Sequence, residues 1–184
     1  NQLTSLDVSS CKALRGLLCT DNQLTSLNVS GLTALEGVSC YGNQLTSLNA
    51  SGCISLQELM LNSYVIGGSL GNASLTTLNV SGCKALDFLN CNDCQLTSLN
   101  VSGCTALNHL YCVNNQLTSL NVSSCTALSY LDCSINELTS LIVRGCTALY
   151  HLDCSSNKLT SLDIRDTKLS ESHMRYDWGT RIIE

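Results

Sequence analysis

Leu14-Arg15-Gly16-Leu17-Leu18-Cys19-Thr20-Asp21-Asn22-Gln23-Leu24 reads LxxLxCxxNxL. The same frame restarts at Leu35, Leu56, Leu86, Leu107, Leu128 and Leu149. Five of the six steps between these starts are 21 residues, and the sixth is 30. Between frames runs a second constant segment close to TSLNVSGCTA. A fixed period of this length makes a solenoid, in which each coil buries its apolar face only against its neighbours.

The apolar columns follow the period. Leu3, Leu24, Leu45, Leu75, Leu96, Leu117, Leu138 and Leu159 form one, and Leu6, Leu27, Leu48, Leu78, Leu99, Leu120, Leu141 and Leu162 another. Val8, Val29, Ala50, Val80, Val101, Val122, Val143 and Ile164 form a third. The LxxLxC segment alternates apolar with variable residues, as a strand buried on one side does. This is a leucine-rich-repeat solenoid, mainly β, with one parallel strand per coil on a concave face. The rest of each coil is too short for a three-turn helix, which predicts a short irregular or extended convex side. Residues 1–164 are expected to form about eight repeats.

Three features depart from the period. The nine extra residues between Leu45 and Leu75 fall near 62–74 and include Gly67, Gly68 and Gly71, which predicts a loop leaving the wall. Asn22, Asn43, Asn115, Asn136 and Asn157 follow their strands at one offset, where an amide can serve buried backbone groups, but Tyr64 and Cys94 stand in that slot in two repeats. From Arg165 to Glu184 eight of twenty residues are charged, and Ser170, His173 and Arg175 hold the slots for Leu, Leu and Cys. Residues 165–184, with the sole tryptophan Trp178, read as a C-terminal cap. Asn1 opens in mid-repeat, so the natural protein is expected to continue upstream.

The net charge of −5, with sparse basic residues, disfavours nucleic acid as a partner. No long apolar run predicts insertion into a membrane. Thirteen cysteines suggest a disulfide framework, but the columns argue for buried free thiols. Cys19, Cys40, Cys91, Cys112, Cys133 and Cys154 share one slot, and Leu61 fills it once. Cys11, Cys53, Cys83, Cys104, Cys125 and Cys146 share another, and Leu32 fills it once. Equivalent Cβ atoms on adjacent rungs lie about 4.8 Å apart, beyond the ~3.8 Å a disulfide prefers. Six N-x-S sequons, at Asn28, Asn49, Asn72, Asn79, Asn100 and Asn121, would put glycans on nearly every rung of a secreted eukaryotic protein, which favours a bacterial origin.

No motif for catalysis, and no cofactor or metal, is read from the chain. Cys91-Asn92-Asp93-Cys94 is a CxxC, but it arises where a ladder cysteine meets the asparagine slot. Asp132 and Asp153 share an outward slot on adjacent rungs, a pairing also found in glycosidases, but an open sheet lacks their enclosed pocket. The outward slots are more telling. They carry Phe88, His109, Tyr111, Tyr130, Tyr150 and His151, while Tyr41 follows its strand. The same face and its rim hold seven of the fourteen carboxylates, Asp132 and Asp153 among them, against one basic residue, Arg15. Phe88, His109, Tyr111, Tyr130, Asp132, Tyr150, His151 and Asp153 are therefore the candidate ligand-binding residues. The competing explanation is cross-strand packing that only shields the sheet.

The unit LxxLxCxxNxLTxLxVSxCxA resembles the cysteine-containing 21-residue repeats of internalin J-like bacterial surface proteins. The likeness runs from Asn1 to Ile164. It implies an extracellular or cell-surface binding and adhesion domain that recognises a protein or glycan of a host or neighbouring cell; a monomer is expected. A spacer that only projects another domain is the alternative, and an enzyme a more distant one.

Overall fold

The computed structural model describes residues 1–63 and 72–184. The chain is a leucine-rich-repeat solenoid of about eight coils, with almost no helix. Among the described residues one side is an eight-stranded parallel sheet, which begins at Gly16–Leu18 and ends at Met174–Arg175. Each interior strand points its central residue inward, a leucine except for Val38, and a cysteine follows two residues on except where Leu61 replaces it. Leu59, Leu89, Leu110, Leu131 and Leu152 face one another in register and are fully buried. The residues on either side of each leucine therefore point away from the core.

The opposite side takes the extended of the two expected forms, and its segments pair into short parallel sheets. Ser26–Asn28, Ser47–Asn49 and Thr77–Asn79 form a second parallel sheet. Ser119–Asn121 pairs with Ser140–Ile142, and Ser161–Asp163 with Arg181–Ile183. Pairing is absent around Ser98–Asn100, although the long sheet runs unbroken past the same rung. Rungs joined on one side and parted on the other suit a coil curved toward its long sheet.

Hydrogen bonds explain the constant residues. Asn115 Nδ2 donates to the carbonyls of Cys112 and Cys91 at 3.1 and 2.9 Å, and its Oδ1 accepts from Leu96 N–H at 3.0 Å. Asn136 repeats this with Cys133, Cys112 and Leu117. Each amide thus serves its own rung and the one before, and the Cys112 carbonyl receives two donors. In the irregular repeat Asn72 does this work, bonding the Cys40 and Leu61 carbonyls at 3.1 and 3.0 Å. Tyr64 lies outside the described residues, as does most of the expected loop. Cys94 offers no such donors, yet the Cys91 carbonyl keeps Asn115 and the Leu61 carbonyl keeps Asn72. The redundancy absorbs one missing amide.

The sequons also have a structural reason. Asn28, Asn49, Asn79, Asn100 and Asn121 each accept, through Oδ1, the N–H of the serine two residues on. N-x-S here spells a side-chain-closed turn. Asn72 is fully buried.

All thirteen cysteines are free and twelve are buried. Cys11 departs from the expected core slot: it lies on the first coil, with one neighbouring rung instead of two, and is exposed. In the first ladder Cys91 points its Sγ at the Tyr111 carbonyl of the following coil, at 3.4 Å; in the second such bonds recur from coil to coil. Cys53, Cys83, Cys104, Cys125 and Cys146 each point Sγ at a backbone carbonyl of the preceding coil, at 3.0 to 3.7 Å. They are weak donors as well as apolar fillers.

The last twenty residues hold a correction. Met174, not His173, pairs with Leu152, and Arg175 pairs with Asp153. A 3-10 turn at Glu171–His173 delays the strand by one residue, so the apolar slot is filled after all: Met174 is buried. Arg175 faces outward beside Asp153 instead of taking the cysteine slot. Asp177 accepts the N–H groups of Ser156 and Asn157, both at 2.8 Å. One rung earlier the carbonyls of Ser155 and Ser156 take the N–H groups of Ile135 and Asn136. A carboxylate thus stands in for two backbone carbonyls, which is why we propose residues 165–184 as a cap. Trp178 takes no part in covering the core, being fully exposed.

Candidate binding face

Register places the outward residues of the long sheet in two columns. Gly37, Glu58, Phe88, His109, Tyr130 and His151 face one another in the first. Ser39, Met60, Asn90, Tyr111, Asp132, Asp153 and Arg175 make the second. The small and charged members show that neither column requires an aromatic.

Where aromatics do occur they form one continuous surface. Phe88 and Tyr111 have ring centroids 5.6 Å apart, and Tyr111 and Tyr130 5.1 Å. Phe88–His109 and His109–Tyr130 are each 6.1 Å apart. Tyr130 and His151 stack at 4.3 Å with planes 9° apart. The four tilted or wider pairs fall in the ~4.5–7 Å range of favourable ring pairs, and Tyr130–His151 stacks slightly closer. The rings shield one another, and all five are only half-buried.

Tyr150 stands apart from the other candidates. It immediately precedes the strand His151–Asp153, rather than occupying an outward strand slot, and is 48% exposed. Of the predicted site residues, Phe88, His109, Tyr111, Tyr130, Asp132, His151 and Asp153 come together across four strands, and Tyr150 lies at their margin. Arg175 went unnoticed in the sequence because the one-residue delay hides its register. Its Nη1 lies 3.9 Å from Asp153 Oδ2.

The two aspartates share one turn design. Asp132 Oδ1 accepts the backbone N–H and the hydroxyl of Ser134, at 3.1 and 2.7 Å. Asp153 Oδ1 does the same with Ser155, at 3.1 and 2.6 Å. Burial pushes the Asp132 pKa up; the Ser134 bonds oppose this, neighbouring Asp153 adds to it, and His151 pulls it back. Burial raises Tyr111, helped by Asp132 and Tyr150. Burial also raises Tyr130, helped by Tyr111 and the two aspartates, while Arg175 pulls it back. Both phenols stay neutral hydrogen-bonding groups at neutral pH.

The CxxC has the environment of a core, not of a reactive thiol. Cys91 is fully buried, and burial pushes the Cys94 pKa up to about 12. A thiolate, the form that attacks or ligates, is strongly disfavoured there. Among the described residues no group of three or more His, Cys, Asp or Glu is placed to hold a metal ion. No helix among them is long and apolar enough to cross a membrane.

Residues 71–87 match the family model of a leucine-rich repeat. No curated protein matches the chain. Among solved structures the chain is similar to the functional domain of InlJ from Listeria monocytogenes, at 29% identity and a TM-score of 0.53. That domain includes a cysteine ladder, and the match covers 100% of this chain and 50% of that one. The leucine-rich-repeat protein LIC12759 of Leptospira interrogans follows at 20% identity and a TM-score of 0.52, over 97% of this chain and 58% of that one. The leucine-rich-repeat domain of APL1B gives 19% identity and a TM-score of 0.66, over 100% and 56%. The latter two share the fold alone. The chain spans between 50% and 58% of the length of these three structures.

Proposed function

We propose that this chain is an extracellular binding and adhesion domain of a bacterial surface protein. Its concave long-sheet face engages a protein or glycan on a host or neighbouring cell. Leucine-rich-repeat domains generally bind proteins, and the fold is typically a scaffold for binding and not for catalysis. The resemblance of the repeat unit to those of internalin J-like bacterial surface proteins supports the surface setting, and the InlJ domain shares the cysteine ladder.

One observation carries the choice of face: an unbroken patch of half-exposed aromatic rings spans four strands of the long sheet. Nothing in the coil demands it, because Gly37, Glu58, Ser39 and Met60 occupy the same columns. Aromatic anchors with polar tips, gathered in one patch, are the composition of contact hot spots.

The test is a pair of double variants, assayed for binding to arrayed bacterial and host surface proteins and glycans. Tyr111→Ala with Tyr130→Ala should leave folding nearly intact and weaken binding to the captured partner by at least about 2 kcal/mol. Thr97→Ala with Thr118→Ala, on the opposite side, should leave it unchanged. The reverse pattern would put the contact on the other side. A wild-type domain that captures nothing across such arrays would favour the spacer reading.

A further inference from the structure

Asp132 carries more charge than its turn requires. Asn90, in the same column, accepts the N–H of Asn92 at 3.1 Å and closes the equivalent turn with a neutral amide. An amide at 132 would serve Ser134 in the same way. The chain instead keeps a half-buried carboxylate there, and its turn uses only Oδ1. Among the described residues Asp132 has no ion-pair partner, whereas Asp153 on the next rung has Arg175. The face thus already draws one guanidinium of its own chain to its last acidic rung, and that pair stops one rung short of Asp132.

The surroundings of Asp132 suit a cation. Tyr111 lies directly across from it on the neighbouring strand, and Tyr130 precedes it by two residues on the same face. Their rings are 5.1 Å apart. Ring faces attract cations, and a guanidinium can stack on a ring while its N–H groups reach a carboxylate. A neutral sugar could stack on the rings and donate a hydroxyl to the free oxygen, but only a cation would also neutralise the half-buried charge. The net charge of −5 also steers a basic partner toward the molecule.

We infer that the long-sheet face seats an arginine side chain of a basic protein segment, its guanidinium lying across Tyr111 and Tyr130 and paired with Asp132 Oδ2. This rests on the reading of that face as the contact surface and narrows it to a protein partner with exposed arginine.

The probe is the peptide acetyl-Gly-Gly-Arg-Gly-Gly-amide, titrated into isotope-labelled protein and followed by backbone amide shifts. Its counterpart carries citrulline, which has arginine's shape without the charge; cellotetraose serves as a neutral sugar. The arginine peptide should shift the amides of Tyr111 and of residues 130–134. The citrulline peptide should bind about five-fold more weakly or worse. Asp132→Asn should lose the same factor for the arginine peptide while melting no lower than the parent, so the loss is not one of folding. Equal binding of the arginine and citrulline peptides, or unchanged affinity in Asp132→Asn, overturns the inference. If citrulline or cellotetraose shifts the same amides as strongly as arginine, the contact face stands and the arginine seat falls. Shifts confined to the opposite side would sink both.

Discussion

The two sides of this solenoid use their exposed residues in opposite ways. On the segmented side the same letters recur, and each has a structural task. Asn28 and its equivalents close turns on serine, the Thr46, Thr76 and Thr139 hydroxyls bond the carbonyl of the equivalent threonine one coil earlier, and the cysteine ladder there points at backbone carbonyls. On the long sheet the outward columns change from rung to rung, through Gly37, Glu58, Phe88, His109 and Tyr130. Repetition marks positions that the backbone dictates. Freedom from repetition marks positions that a partner can dictate.

The asparagine ladder, which bonds the backbone of two rungs at once, should show the largest effect. Asn115→Ala leaves Leu96 N–H without its acceptor and the Cys91 carbonyl without an asparagine donor, because Cys94 supplies none. Buried groups left unpaired make this cost about 3–5 kcal/mol. Asn136→Ala should cost about 1 kcal/mol less, since the Cys112 and Cys133 carbonyls keep Asn115 and Asn157. Urea midpoints of the two variants decide it. Equal losses would mean that the doubled donors carry no weight.

The two cysteine ladders sharpen the contrast between the sides. Cys112 is fully buried against the long sheet, and Cys112→Ser puts a hydroxyl there without an assured acceptor, at a cost of roughly 1–3 kcal/mol. Cys146 already aims its sulfur at the Val122 carbonyl at 3.1 Å. Cys146→Ser can keep that bond and should cost under about 1 kcal/mol. If Cys146→Ser proves the more damaging in thermal melts, the sulfur's volume outweighs its bond.

The apolar ladders, the thiols and the strand frame were readable because each repeats eight times or nearly so, and repetition averages away local accident. What escaped was set by single events. Asn72 takes over the asparagine's bonds only because eleven residues separate it from Leu61, a count that a fixed offset cannot anticipate. Met174 enters the leucine column one residue late, and the delay turns Arg175 outward onto Asp153. Which extended segments pair on the opposite side was not readable, since the Leu-x-x-Leu-x-Val pattern recurs there from rung to rung while pairing lapses around Ser98–Asn100. Within the candidate site the columns were legible from the period alone. The contacts between rings were not, since they depend on side-chain directions across four strands.

Asp132 offers the smallest effect and the clearest sign. Burial raises its pKa in the fold above the ordinary value of 3.8, with Asp153 adding to the rise. A raised carboxyl pKa means that the fold holds the proton more tightly than the unfolded chain does. Ionisation at neutral pH is therefore a cost to the fold, and that cost is relieved as pH falls through the raised pKa. Asp132→Asn keeps an acceptor for Ser134, as Asn90 does for Asn92, and removes the charge. It should melt higher than the parent at neutral pH, by up to about 1 kcal/mol in stability after allowance for solvent screening at a half-exposed group. The gap should close as pH is lowered and the parent's carboxyl takes up its proton. Melting curves across a pH series read both features. A variant less stable than the parent at neutral pH would mean that the carboxylate serves the fold, and the case for keeping it to meet a partner would be lost.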